Sequence, residues 1–220
     1  MIENKVYDAI VVGTGISGGW AAKELCENGL NVLVLERGPM VKHIEDYKTM
    51  NDDSWDYNFK GELSREDKEK YHKQLRVGWA PKEDVKHFFV NDLEHPYQET
   101  KRFDWIRGYQ VGGRSLTWGR QSYRWSDIDF EANEKEGIAV DWPVRYKDIA
   151  PWYDKVESYI GVSGQALGLK QLPDGIFQPP MELNCVEKEL QESLSKEFDD
   201  GRLLTIGRAA HITENTTDFK

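Results

Sequence analysis

The stretch from Val11 to Gly38, VVGTGISGGWAAKELCENGLNVLVLERG, constrains the fold more than any other part of the chain. From Val6 to Val12 the residues are mostly β-branched or aromatic, and the unbroken apolar AIVV predicts a strand covered on both faces, as in a parallel sheet. Gly13, Gly15 and Gly18 follow at once. Gly18, Ala21, Ala22 and Leu25 then recur at helical spacing, with small residues where a helix must press on a sheet, and Gly29 supplies a helix stop. NVLVLE predicts the second strand. Strand, helix and strand within so short a span make one right-handed βαβ unit, and hence an α/β fold with a Rossmann-like parallel sheet.

The three glycines have separate geometric tasks. Gly13 allows the tight turn out of the strand, Gly15 lets a pyrophosphate reach the backbone, and Gly18 lets the helix pack on the sheet. The helix N-terminus, with Ile16 and Ser17 in its first turn, offers unpaired N–H groups and a positive dipole end to the phosphates. Glu36 ends the second strand, where a carboxylate accepts hydrogen bonds from ribose hydroxyls and repels a 2′-phosphate, and Arg37 follows it. Gly13, Gly15, Ile16, Ser17, Gly18, Glu36 and Arg37 are therefore candidate cofactor-binding residues. The fingerprint does not separate NAD from FAD, since both carry the ADP half that it recognises.

Composition excludes several partners. The formal charge of −10 argues against nucleic acid or an anionic membrane surface as the main partner, since both need a basic face. Cys26 and Cys185 are too few for a disulfide framework and fit a reducing compartment, so a cytoplasmic location is expected, with export beside a signal-bearing partner left open. No run approaches the ~18 apolar residues of a membrane span, and MIENKVYDAIVV lacks a charged start followed by a long apolar stretch and a small-residue cleavage site, so no export signal is expected.

Between residues 41 and 105 the chain is charged, aromatic and weakly periodic, which predicts an inserted excursion, a lid or an interface, interrupting a nucleotide-binding portion at 1–40 and 106–220. Ser64 to Arg76 carries a capping-box pattern, Ser64 with Asp67, and predicts one exposed helix. In APWYDKVESYIGVSG, Pro151 suits a first helical turn, Trp152, Val156, Tyr159 and Ile160 share one face, and Gly161 ends the helix. Val186, Leu190, Leu194 and Phe198 predict another amphipathic helix before the apolar RLLTIGRAA, read as a third strand of the nucleotide sheet.

RGYQVGGRSLTWGRQSYRW, Arg107 to Trp125, contains a second small-residue loop at Gly112, Gly113 and Ser115, followed by Thr117 and Trp118. Together with ERGP after the second strand and DWPVRYKDIAPWYDKVESYIGVSG, it resembles the glucose–methanol–choline (GMC) family of FAD-dependent oxidoreductases. PDGIFQPP is similar to sugar-oxidising, pyranose oxidase-like members. The resemblance implies that Gly112, Gly113, Ser115, Thr117 and Trp118 lie against FAD and its phosphates. Thr117 stands where some members link a histidine covalently to the flavin, so the resemblance implies non-covalent FAD.

Trp105, Trp118, Tyr123 and Trp125 suit core or flavin packing, or a stacking platform for a sugar ring. The histidines show no metal-ligand spacing, so no metal is expected. The family takes a hydride from an alcohol carbon to the flavin while a late histidine, paired with histidine or asparagine, takes the proton. No segment here matches that pair, so no catalytic residue is named. The expectation is the N-terminal FAD-binding part of a longer oxidoreductase acting on CH–OH groups of a sugar or other alcohol, an incomplete fold with a possible electron-acceptor or completing subunit. An NAD-dependent dehydrogenase and a non-catalytic nucleotide-binding module are the rival readings.

Overall fold

A computed structural model describes residues 5–47, 49–53, 55–77 and 81–214. The chain divides into two compact units, Met1–Trp118 and Gly119–Lys220.

In the first unit, β1 (Ala9–Val12), α1 (Ile16–Glu27) and β2 (Val32–Leu35) form the expected βαβ unit. The strands are parallel, with Ala9 opposite Val32 and Val12 opposite Leu35. Asp8 and Asn31 lock the entry: the Asp8 N–H donates to the Asn31 carbonyl at 2.9 Å, and the Asn31 N–H donates to the Asp8 carboxylate at 2.8 Å. The helix ends as the sequence predicts. Gly29 takes a left-handed φ of 83°, its N–H bonds the Cys26 carbonyl, and the Leu30 N–H reaches back to Leu25, which satisfies two carbonyls of the last turn.

The sheet departs from expectation in its cover. Val11 is buried, but Ile10 is 62% and Val12 80% exposed. Among the described residues this sheet has two strands, so α1 covers one face and the other stays open. The segment 41–105 packs within the first unit around a small core that its composition did not reveal, Leu63, Phe88, Phe89 and Val90. Its predicted helix is short: α2 (Arg65–Lys70) starts at Ser64, whose hydroxyl oxygen accepts from the Asp67 N–H at 3.0 Å. The Asp67 carboxylate accepts from the Ser64 hydroxyl and from Lys86 instead of the Ser64 N–H, so the capping box is not reciprocal.

The second unit contains α3 (Asp127–Phe130), α4 (Ala132–Lys135), α5 (Tyr146–Ile160), β3 (Val162–Ser163), α6 (Cys185–Glu197) and β4 (Ala209–Ala210). RLLTIGRAA is not a third parallel strand: only Ala209 and Ala210 are extended in a ladder, and they pair antiparallel with β3. The helix α5 begins at Tyr146, so Pro151 lies inside it, and Gly161 ends it at a left-handed φ of 68°. Its inner face is not the apolar stripe read from the sequence. Trp152 and Tyr159 are exposed, whereas Tyr153, Val156 and Ile160 flank the buried Glu157. Glu157 turns inward because Arg124, also buried, donates to its carboxylate through Nε and Nη2, while Nη1 donates to the Tyr146 hydroxyl at 2.9 Å. Arg208 fills the other half of this core, donating to the Pro173 carbonyl and the Asp174 carboxylate at 2.5 and 2.9 Å. Val186 and Leu190 of α6, and Phe198 at its C-cap, remain exposed.

Candidate functional site

The first glycine loop fits its three tasks in three physically different ways. Gly13 holds φ at 92°, a conformation that a side chain strains. At Gly18, a Cβ would lie 2.1 Å from the Gly13 carbonyl oxygen, so the helix can approach the strand only without one. At Gly15 a Cβ would meet nothing within 4 Å: the space before this backbone is open. Gly15 is also the N-cap of α1 and brings no side-chain cap, and no acidic residue stands in the first turn. The N–H groups of Ile16, Ser17 and Gly18 lie in that turn, where α-helical geometry gives them no carbonyl of their own helix. This open, uncapped helix start fits a pyrophosphate.

Glu36 stands beside the loop, and every one of its acceptor positions is engaged. Oε2 accepts from the Thr14 N–H at 2.8 Å and from the Thr14 hydroxyl at 2.5 Å. Oε1 accepts from the N–H groups of Arg37 and Gly38 at 2.8 and 2.9 Å. These bonds, the Thr14 hydroxyl first and then the Gly38 amide, hold the carboxyl down at about 2, against the opposing effect of its burial. The Arg37 guanidinium lies over the Tyr109 ring, 3.6 Å from its centroid.

That stack belongs to a wider closure. The segment after β2 runs against residues 107–113: the Val111 N–H donates to the Pro39 carbonyl at 2.9 Å, and a Cβ on Gly38 would sit 2.2 Å from the Tyr109 carbonyl carbon. Buried Arg107 fixes the returning strand of chain by donating to the Asp92 carboxylate, to the His95 carbonyl at 2.6 Å and to the Tyr109 hydroxyl at 2.8 Å.

The second glycine loop is thereby brought to the first. Gly112 and Gly113 both adopt positive φ, 88° and 54°, and open a 3-10 turn over Gly113–Leu116. A Cβ on Gly113 would lie 3.4 Å from the Gly15 Cα. The Gly112 N–H donates to the Thr14 hydroxyl oxygen at 3.1 Å. Ser115 and Thr117 use their hydroxyl protons inside the loop, on the carbonyls of Gly112 at 2.6 Å and Arg114 at 3.3 Å. Trp118 closes the first unit and is 38% exposed.

The structure therefore gathers Gly13, Gly15, Glu36, Gly112 and Gly113 at one place. Sequence reasoning missed Thr14, which touches both Glu36 and Gly112; its hydroxyl between two of the motif glycines was the available signal. Of the clustered aromatics, Trp105 meets Tyr97 edge-on in the first unit, and Trp125 meets Phe130 and Trp142 in the second. Among the described residues no group of three potential metal ligands occurs, and no helix is long and apolar enough to cross a membrane.

No protein-family model matches the chain. The chain is 28% identical over 171 residues to the fructose dehydrogenase large subunit of Gluconobacter japonicus, covering 74% of this chain and 28% of that protein. It is 30% identical over 180 residues to the gluconate 2-dehydrogenase flavoprotein of Pantoea cypripedii, covering 76% and 27%. Over 153 residues it is 28% identical to the oxygen-dependent choline dehydrogenase of Xanthomonas axonopodis pv. citri, covering 69% and 23%. The chain thus spans about a quarter of the length of the curated relatives it matches. With the paired glycine loops and these relatives taken together, the chain belongs to the glucose–methanol–choline oxidoreductase family.

Proposed function

We propose that this chain is the FAD-binding portion of a flavin-dependent oxidoreductase acting on CH–OH groups of a sugar or other alcohol. The observation that carries the reading is the junction of the two glycine loops, with Gly113 against Gly15 and Gly112 bonded to Thr14, beside open space at Gly15. Gly13 shapes the turn, Gly18 seats the helix, and the amides of Ile16 and Ser17 bind the pyrophosphate. Glu36 receives the ribose, with Arg37 alongside it. Gly112, Gly113, Ser115, Thr117 and Trp118 line the flavin side.

When bound, FAD supplies the hydride acceptor for the alcohol carbon. The residues here bind and orient it without a covalent bond. In this reading residues 1–40 and 106–220 form the FAD-binding portion, the excursion at 41–105 braces it, and the catalytic proton acceptor lies outside the motifs of this chain. Names such as "large subunit" and "flavoprotein" among the relatives support an electron-accepting or completing partner subunit. The two exposed, unpaired cysteines suit a reducing, cytoplasmic setting.

Titration with FAD tests the reading. Quenching of flavin fluorescence with a shifted flavin absorbance band is expected, and Gly15→Val abolishes both by filling the pyrophosphate position. A chain that leaves FAD free in solution while binding NADH overturns it in favour of a nicotinamide enzyme.

A further inference from the structure

The Glu36 carboxylate offers roughly four lone-pair sites, and protein donors fill them: the N–H groups of Thr14, Arg37 and Gly38, and the Thr14 hydroxyl. A ribose hydroxyl needs one of these places. Three of the donors are backbone amides fixed by the turn after β2 and by the first glycine loop. The fourth is a side-chain hydroxyl, which leaves by rotation about χ1.

The same hydroxyl has a second bond. Its oxygen accepts from the Gly112 N–H while its proton goes to Glu36, so Gly112, Thr14 and Glu36 form one directed chain across 98 positions of sequence. We propose that Thr14 is a positioning residue with a displaceable hydroxyl: it holds Glu36 and the second glycine loop in register in the free chain, and yields its place on Oε2 to a ribose hydroxyl of the adenine cofactor. The proposal rests on the cofactor reading given above.

The test titrates wild type, Thr14→Val and Thr14→Ser with ADP and with 2′,3′-dideoxy-ADP, which lacks the ribose hydroxyls. Removing the Thr14 hydroxyl leaves Oε2 open to the ribose, so the preference for ADP over the dideoxy nucleotide rises roughly tenfold in Thr14→Val, the size of one hydrogen bond to a charged group. Thr14→Ser keeps the wild-type preference. A residue that only shapes the loop weakens both nucleotides alike, and an unchanged preference overturns the proposal. Hydrogen exchange of the Gly112 amide without nucleotide reads the other bond: faster exchange in Thr14→Val and wild-type exchange in Thr14→Ser are expected, and equal exchange in all three overturns the bridge. If Thr14→Val does not fold, Thr14→Ala removes the same hydroxyl and carries the comparison. Failure of wild type to bind either ADP or FAD overturns the cofactor reading and this proposal with it. Binding of both with an unmoved preference overturns this proposal alone.

Discussion

The missing side chain of Gly18 points at the Gly13 carbonyl: a Cβ there would lie 2.1 Å from that oxygen, and 3.5 Å from the Val11 side chain. The two nearest atoms, the Gly13 carbonyl oxygen and carbon, are backbone and cannot move aside as the end of a flexible side chain can. Gly15, two residues beyond Gly13, has the opposite surroundings, with nothing within 4 Å of its Cβ position. Two glycines of one motif are thus required for different reasons, one by the fold and the other by what the fold leaves open.

Alanine scanning separates the two. Gly18→Ala should destabilise the chain by about 3 kcal/mol through overpacking of α1 on β1. Gly15→Ala, at a backbone φ of −62°, should unfold within about 0.5 kcal/mol of wild type. Urea denaturation followed by circular dichroism measures both. Equal stability of the two variants would contradict the assignment of Gly18 to helix packing.

Acid reads the Glu36 network. Its carboxyl is held at about 2, below the ordinary 4.5, chiefly by the Thr14 hydroxyl and the Gly38 amide. A group whose folded pKa is depressed stabilises the fold above its unfolded pKa and loses that contribution as pH falls through the folded value. Glu36→Gln should therefore cost about 2 kcal/mol at neutral pH, and the gap to wild type should close between about 4.5 and about 2. Urea midpoints of both proteins across that range test it; a gap independent of pH assigns the cost to shape and not to charge.

In the second unit the pair Arg124 and Glu157 supplies the polar centre of the core. Arg124 is bound on three sides, by Glu157, by Asp154 at 2.5 Å and by Tyr146. Glu157→Ala leaves a buried guanidinium with one partly exposed carboxylate, and should cost about 3 kcal/mol or more. The double replacement Arg124→Met with Glu157→Met should cost less than the sum of its single changes, because neither partner is left charged and alone. Additive costs in a double-mutant cycle would show that the two side chains act independently.

These residues also mark where sequence reading stops. The first βαβ unit was legible because its signals are local: apolar runs, glycine spacing and a Gly29 stop all lie within one short stretch. Thr14 was not, since its meaning depends on Gly112, and no periodicity links positions so far apart. The apolar stripe assigned to α5 failed because its inner face is organised by Glu157, whose partner Arg124 lies outside the helix, and a pattern that counts only apolar residues cannot see a buried ion pair. The core of the excursion, Phe88 to Val90, was hidden in the same way among charged neighbours such as Lys86 and Asp92.

The second glycine loop leads to the last prediction. Thr117 carries a hydroxyl where a covalent flavin link would need an imidazole, and that hydroxyl donates to the Arg114 carbonyl within its own turn. Acid or heat denaturation of the loaded protein should therefore release FAD into the supernatant after precipitation. Gly113 holds a positive φ of 54° beside the Gly15 Cα, so Gly113→Val adds backbone strain and bulk at the junction of the two loops. Flavin occupancy should fall several-fold, read as the ratio of flavin to protein absorbance. The two arms test separate statements. Flavin that stays with the precipitate means a covalent link at another residue, whereas full occupancy of Gly113→Val means that the second loop is a structural turn and that the cofactor is held by the first loop alone.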